Sequence, residues 1–260
     1  MKRVELYVNS TKQKAIMLSN QIQEELLKSG YEIVREAPDI IIGFGGDGTL
    51  LNLLRERTYS LGAKYIGINC GTLGFMQDFE VTDIHQFVQD IPNYIQQKIN
   101  LISLEAINGK EKKVFNALND FNIQNKNNKT FRAKVEISNE FLEDYIGTGI
   151  IFSTPTGSTA HNLSAGGSVI FPEIEVIQIT PREAIANREM HCLPKSICIP
   201  RNLTVSLSPN NEEEIEILSD ADTVYTGKYE RINIYKSNLS LTKLTDKNSS
   251  FVKKIREKLI

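Results

Sequence analysis

Seven consecutive residues, Gly43-Phe44-Gly45-Gly46-Asp47-Gly48-Thr49, hold four glycines and one carboxylate. They satisfy the Gly-x-Gly-x-x-Gly spacing, in which glycines let backbone N–H groups at a helix start approach a phosphate. The same spacing also serves ordinary strand-to-helix turns. Asp47 sets this turn apart, because an anion there would repel phosphate. The conflict disappears if Asp47 faces a hydroxyl or a metal ion while the glycine amides hold the phosphates. A general base beside a phosphate cradle is the layout for phosphoryl transfer to an alcohol. The plainer role for Asp47 is an N-cap on the helix that follows. An ordinary Rossmann site would want an acidic residue at the end of the next strand, and Asn69 stands there. No Walker A sequence occurs: Gly227-Lys228 lacks both the preceding glycine spacing and the following Ser or Thr.

The elements around this turn alternate in type. Val4–Val8 reads as a strand, Thr11–Lys28 as an amphipathic helix ended by Gly30, and Tyr31–Val34 as a second strand. Asp39–Ile42, stopping at Gly43, has the apolar run of a strand buried on both faces of a parallel sheet. A helix from Thr49 to Arg57, a strand Tyr65–Ile68 and a helix Val81–Gln97 follow, with Asp83 in the first turn of the last. This order predicts a doubly wound α/β domain over residues 1–98. From residue 99 to 239 short β runs take over: Ile99–Ala106, Lys113–Leu118, Phe131–Ile137, Phe141–Ile146, Leu203–Leu207, Glu214–Leu218 and Arg231–Tyr235. Turn signals at Asn108-Gly109, Pro209-Asn210-Asn211 and Thr226-Gly227 separate several of them, as in an antiparallel β domain. Asn122–Lys129 reads as a polar surface loop. Phe251–Ile260 reads as a basic amphipathic helix with Val252, Ile255 and Leu259 on one face.

The 260 residues carry 30 Lys and Arg against 32 Asp and Glu. That balance argues against a nucleic-acid binder, and no basic tract invites an anionic membrane surface. The apolar runs are far shorter than the roughly 20 residues that span a bilayer, and no secretory segment opens the chain. Three cysteines without a Cys-x-x-Cys pair point to a reducing cytoplasm. His191 and Cys192, with Cys198 further on, fit no zinc pattern, and His85 reads as a solvated surface residue.

Three motifs carry a family resemblance. Gly45-Gly46-Asp47-Gly48-Thr49 resembles the signature shared by NAD kinases, diacylglycerol kinases and sphingosine kinases. Gly71-Thr72-Leu73-Gly74-Phe75 resembles the second NAD kinase motif. Ser153-Thr154-Pro155-Thr156-Gly157-Ser158-Thr159-Ala160, continued by Leu163-Ser164-Ala165-Gly166-Gly167, resembles the NAD kinase hallmark almost letter for letter, and Leu118-Asn119-Asp120 matches that family's Asn-Glu/Asp pair. The resemblance covers residues 39–236 with the motifs in family order. It implies an NAD kinase-like two-domain architecture, with residues 240–260 packing back on the first domain and the active site in the cleft between domains. The implied reaction is ATP-dependent phosphorylation of the adenosine ribose 2′-hydroxyl of NAD, giving NADP. By resemblance, Asp47 is the base and Gly45, Gly46, Gly48 and Thr49 hold the ATP phosphates, with a divalent cation, normally magnesium. The resemblance also implies that Asp47, Gly48, Phe75, Asn119, Asp120, Thr148, Ser158, Thr159, Ala160, His161, Asn162, Leu163, Ser164 and Glu183 lie along NAD. Asn119 and Asp120 grip the ribose diol, or else form an Asx turn closing a strand. Thr156–Thr159 binds the dinucleotide, or else is a structural turn and cap. Phe75 walls the dinucleotide or serves as a core residue. The resemblance further implies a homodimer or homotetramer.

The chain departs from the family pattern at several positions. Thr148, in Ile146-Gly147-Thr148-Gly149, replaces an aspartate, which removes a charge-assisted acceptor worth about 1.5–3 kcal/mol if buried. His161 stands where Tyr is usual, Glu183 where a small residue lines the nicotinamide side, and Ser219-Asp220-Ala221 where Val-Asp-Gly is usual. These bear on affinity and on the choice between NAD and NADH, while phosphoryl transfer is expected to survive. Two rivals remain at this point. A lipid kinase of the same superfamily would lack the Thr-Pro-Thr-Gly-Ser-Thr-Ala run. A non-catalytic dinucleotide-binding protein would have no need of Asp47.

Overall fold

The computed structural model describes residues 2–71, 74–127, 129–185, 192–209 and 214–260. Thr72, Leu73, His191, Asn210 and Asn211, named above, lie outside them. The chain divides into two compact units, Met1–Ile99 with Ser240–Ile260, and Asn100–Leu239. Among the described residues no helix is long and apolar enough to cross a membrane.

The first unit is a parallel sheet in the order Glu32–Ile33, Arg3–Val8, Ile40–Gly45, Lys64–Asn69, with Thr242 and Lys243 paired parallel to Lys64 and Tyr65 on its far side. All six residues of Ile40–Gly45 are buried, as an apolar run covered on both faces should be. Its side chains enter a core with Val4, Ile22, Leu26, Ile66 and Ile68. The strand runs on past Gly43 to Gly45, paired with Gly67–Asn69, and Gly43 is tolerated within it because Tyr65 fills the space a side chain there would need. The strand order reverses between Arg3–Val8 and Ile40–Gly45, so the loops leaving their carboxyl ends diverge and open a crevice. The glycine turn sits at that switch point.

Two helices differ from expectation. The third is short, Ile84–Asp90, with Asp83 as its N-cap accepting from Gln86 N–H at 2.9 Å. Pro92 then forms a tight turn and a strand starts at Ile95, so Ile95–Gln97 is not helical. The last helix, Phe251–Leu259, forms as expected, but Val252 is 60% and Leu259 39% exposed, whereas Lys254 is buried.

The second unit carries an antiparallel sheet in the order Ile197–Pro200, Val176–Arg182, Gly149–Ser153, Asp120–Asn125, Ile215–Ser219, Asp222–Gly227. A second set of antiparallel strands pairs Glu140–Gly147 with Phe131–Ile137, the latter with Val205–Pro209, and that with Arg231–Thr245. Ile95–Asn108 pairs with Glu111–Ala117. Phe121, Ile123, Phe152, Ile177, Val205 and Ile232 share one core. The start of Asn122–Lys129 is therefore no surface loop. Asn122 and Asn125 are buried in the strand Asp120–Asn125, and Asn122 accepts from Arg182 Nη1 at 3.2 Å. A polar network on one sheet face gives these asparagines partners that the sequence does not announce.

Candidate active site

In the first unit, Gly46 caps the helix Asp47–Glu56 in extended conformation, and its N–H donates to Thr49 Oγ1 at 3.2 Å. Asp47 is thus the first helical residue rather than the cap. Its carboxylate reaches across to the loop after Lys64–Asn69: Phe75 N–H donates to Oδ2 at 2.8 Å and Met76 N–H to Oδ1 at 3.0 Å. The approach is close enough that a Cβ on Gly74 would stand 2.1 Å from Oδ1. An ionised carboxylate has about four lone-pair sites, so each oxygen keeps one for a further donor. Gln77, fully buried, donates to Gly46 O at 2.9 Å and pins the turn from beneath.

Lys12, at the start of the helix Gln13–Lys28, was not singled out by its sequence context. Its Nζ lies 3.8 Å from where a Cβ on Gly46 would stand and 2.6 Å from the same point on Gly71. Among the described residues nothing pairs with that ammonium. The topology brings it there, since its loop and the glycine turn flank the switch point. The ring of Phe75 lies under the last helix, 5.9 Å from the Phe251 ring and 4.7 Å from Lys258 Nζ.

In the second unit, Asp120 pairs with Ser153 at the end of two adjacent strands. Thr154 N–H donates to Asn119 O at 2.9 Å and Thr154 Oγ1 to Leu118 O at 2.6 Å, which joins the hallmark run to the Asn119-Asp120 pair. At Gly157 a Cβ would fall 2.0 Å from Asn119 O, so only glycine fits. Asp120 is 2% exposed, and among the described residues no group donates to its carboxylate. Burial first, and the neighbouring Asp220 second, push its carboxyl up to about 7. The amide of Asn119, half-buried beside it, is likewise without a protein partner among the described residues.

The remaining hallmark side chains divide into two groups. Ser158 is buried; its Oγ donates to Pro155 O at 2.6 Å and accepts from Ile170 N–H at 2.9 Å. Asn162 is buried with its amide donating to Gln178 and accepting from Thr180 Oγ1 at 2.6 Å. Thr159, Ala160, His161, Leu163 and Ser164 keep some exposure on the turn and short helix His161–Ser164. The His161 imidazole is held below its ordinary pKa, by lost solvation first and by Arg182 second. Arg182 itself, donating to Gln124 Oε1 at 2.7 Å, was missed in the sequence because its role emerges only across three strands.

Thr148 and Glu183 meet each other next to Arg182: Thr148 Oγ1 donates to Glu183 Oε2 at 2.6 Å. Glu183 takes a φ of +46°, rare for a residue with a side chain. They sit at the Gly149 end of a strand whose other end, Ser153, pairs with Asp120. At about 3.4 Å per residue that is roughly 14 Å away along the strand.

A parallel α/β unit with a glycine turn and a carboxylate at its switch point, in one chain with a β-rich unit, is the architecture of a nucleotide-handling two-domain enzyme. The ATP-NAD kinase N-terminal domain model matches residues 9–99 and the ATP-NAD kinase C-terminal domain model residues 118–244. NAD kinase 1 of Bacillus cereus is 30% identical over 248 residues, 94% of this chain and 93% of that protein. The NAD kinase of Staphylococcus aureus is 32% identical over 204 residues, 76% of this chain and 74% of that protein. Two solved structures share the fold. A yeast NADH kinase complexed with NADH gives a TM-score of 0.83 at 17% identity, covering 100% of this chain and 87% of the other. An NAD kinase from Archaeoglobus fulgidus in complex with ATP gives 0.78 at 18% identity, covering 99% of both. The chain belongs to the ATP-NAD kinase family and is a kinase.

Proposed function

We propose that this kinase transfers the γ-phosphoryl group of ATP to the 2′-hydroxyl of the adenosine ribose of NAD, with Asp47 as general base. Asp47 takes the hydroxyl proton as the ribose oxygen bonds to phosphorus and ADP leaves. The observation that carries this reading is the presentation of Asp47: two backbone N–H bonds fix its carboxylate beside the glycine turn and leave a lone pair on each oxygen. A ribose hydroxyl is too weak an acid to ionise unaided, so a positioned carboxylate must accept its proton. The N–H groups of Asp47 and Gly48, and the Lys12 ammonium near Gly46 and Gly71, all without a partner among the described residues, suit the donor's phosphates, whereas the N–H groups of Gly46 and Thr49 are taken up within the turn.

Asn119 and Asp120 hold the ribose hydroxyls, a role favoured by a buried carboxylate and an amide that both lack protein partners among the described residues. Thr159, Ala160, His161 and Ser164 line the dinucleotide. Ser158 and Asn162, whose polar atoms are engaged internally, shape that wall from behind. Among the described residues no cluster of three His, Cys, Asp or Glu could cage a metal ion. A magnesium ion would arrive with the donor's phosphates and neutralise their charge, and Asp47 is a carboxylate beside the glycine turn that could meet it. The enzyme is further read as a cytoplasmic homo-oligomer in which residues 1–98 serve the donor and residues 99–239 the acceptor.

The test is NADP formation from NAD, ATP and magnesium, followed with an NADP-specific dehydrogenase. Turnover by the wild type, reduced about 100-fold or more in Asp47→Asn, is expected for loss of a general base. NAD binding without turnover under any phosphoryl donor would leave a dinucleotide-binding protein instead.

A further inference from the structure

A lysine is the buried residue of the last helix, although Val252 and Leu259 on the same helix stay exposed. Buried lysines need a partner. Lys254 pairs with Asp78, whose side chain is 1% exposed. That carboxylate already has a cation, for Lys243 Nζ lies 2.8 Å from its other oxygen. Lys243 and Lys254 together hold Asp78 below the usual carboxylate range despite its burial. One carboxylate does not require two ammonium groups for neutrality, so the second has another use. Lys254 Nζ also donates to Phe75 O at 2.7 Å.

That carbonyl belongs to the peptide whose N–H, on Met76, donates to Asp47 Oδ1 at 3.0 Å. A trans peptide is planar, with its C=O and N–H pointing in opposite directions. One rigid unit therefore has an ammonium on its oxygen and the Asp47 carboxylate on its N–H. The positive charge polarises the peptide and strengthens its donor. Because Lys254 also grips Asp78, the loop that orients Asp47 is tied down at two points three residues apart.

We propose that Lys254 is a positioning residue for Asp47, acting through the Phe75–Met76 peptide. This rests on the reading of Asp47 as the base. The last helix is thereby part of the catalytic apparatus rather than a passive cover of the first unit.

The test compares wild type, Lys254→Met, Asp47→Asn and the double variant, measuring kcat, both KM values and thermal unfolding for each. Lys254→Met is expected to keep a cooperative unfolding transition, because Asp78 retains Lys243. Its kcat should fall about 10- to 100-fold, the range for misplacing a reacting group, with both KM values within about threefold. The double variant should be no slower than Asp47→Asn alone, since Lys254 acts only through that carboxylate. If Lys254→Met does not fold, Lys254→Arg and Lys254→Gln decide: arginine, which keeps the charge, should turn over faster. Unchanged kcat in Lys254→Met, multiplicative losses in the double variant, or equal rates for Arg and Gln would overturn the proposal. Absence of NADP formation by the wild type would overturn the underlying reading of the site instead.

Discussion

Asp220 accepts hydrogen bonds from Leu118 N–H at 3.0 Å, Asn119 N–H at 2.7 Å and Asp120 N–H at 3.3 Å, fixing the backbone of the pair read as the ribose clamp. It occupies a hairpin turn with Ala221, both at positive φ, the type I′ pattern. The cost of this arrangement is a second carboxylate beside Asp120.

The first prediction follows from that neighbour. The Asp120 carboxyl is raised to about 7, so the folded protein holds its proton where the unfolded chain, near 3.8, has lost it. The resulting stabilisation is fully present below about pH 4 and fades as pH rises through about 7. Urea titrations should show wild type losing stability relative to Asp120→Asn between about pH 4 and pH 7, with no further loss above. Ionised Asp120 is also the stronger acceptor for a diol, so the KM for NAD should fall over the same range and flatten in Asp120→Asn. A KM profile unaffected by Asp120→Asn would remove Asp120 from the clamp.

Gly74→Ala tests the seat of Asp47 from the other side. The new methyl would stand 2.1 Å from Oδ1, and the carboxylate must move. Displacing a reacting group by an ångström costs roughly 100-fold, so kcat should drop by about that factor while the protein stays folded. Steady-state kinetics near wild-type values would show that Asp47 does not work from this position.

Ser158→Ala addresses the framework behind the hallmark turn. Removing the buried hydroxyl leaves Ile170 N–H without its 2.9 Å acceptor. Equilibrium unfolding should report a loss of about 1–3 kcal/mol, the usual cost of orphaning a buried donor. A change confined to KM, with stability intact, would instead mean that Ser158 meets the ligand directly.

Much of the site was legible because its chemistry is written in local runs. A glycine turn has to be contiguous in sequence, and so does an apolar strand buried on both faces; Gly45–Thr49 and Ile40–Ile42 declared themselves for that reason. The same local reading failed where partners come from elsewhere. Asn122 and Gln124 look like loop residues until Arg182, 60 and 58 positions on, supplies their hydrogen bonds. Val252, Ile255 and Leu259 resemble a packing stripe by period, yet Lys254 is buried because Asp78 lies beneath it.

The amino-acid sequence by itself determined which residues could do chemistry: glycines permit a close backbone approach, Asp47 offers a base, and Asn119 with Asp120 offers a diol grip. Tertiary structure decided what each of those groups is committed to. It set Asp47 against the N–H groups of Phe75 and Met76, paired Thr148 with Glu183, and placed Asp220 beside Asp120. The physical reason is that hydrogen bonds and burial act over a few ångströms in space. The residues that supply them here lie 28, 35 and 100 positions apart, separations over which sequence carries no periodic signal.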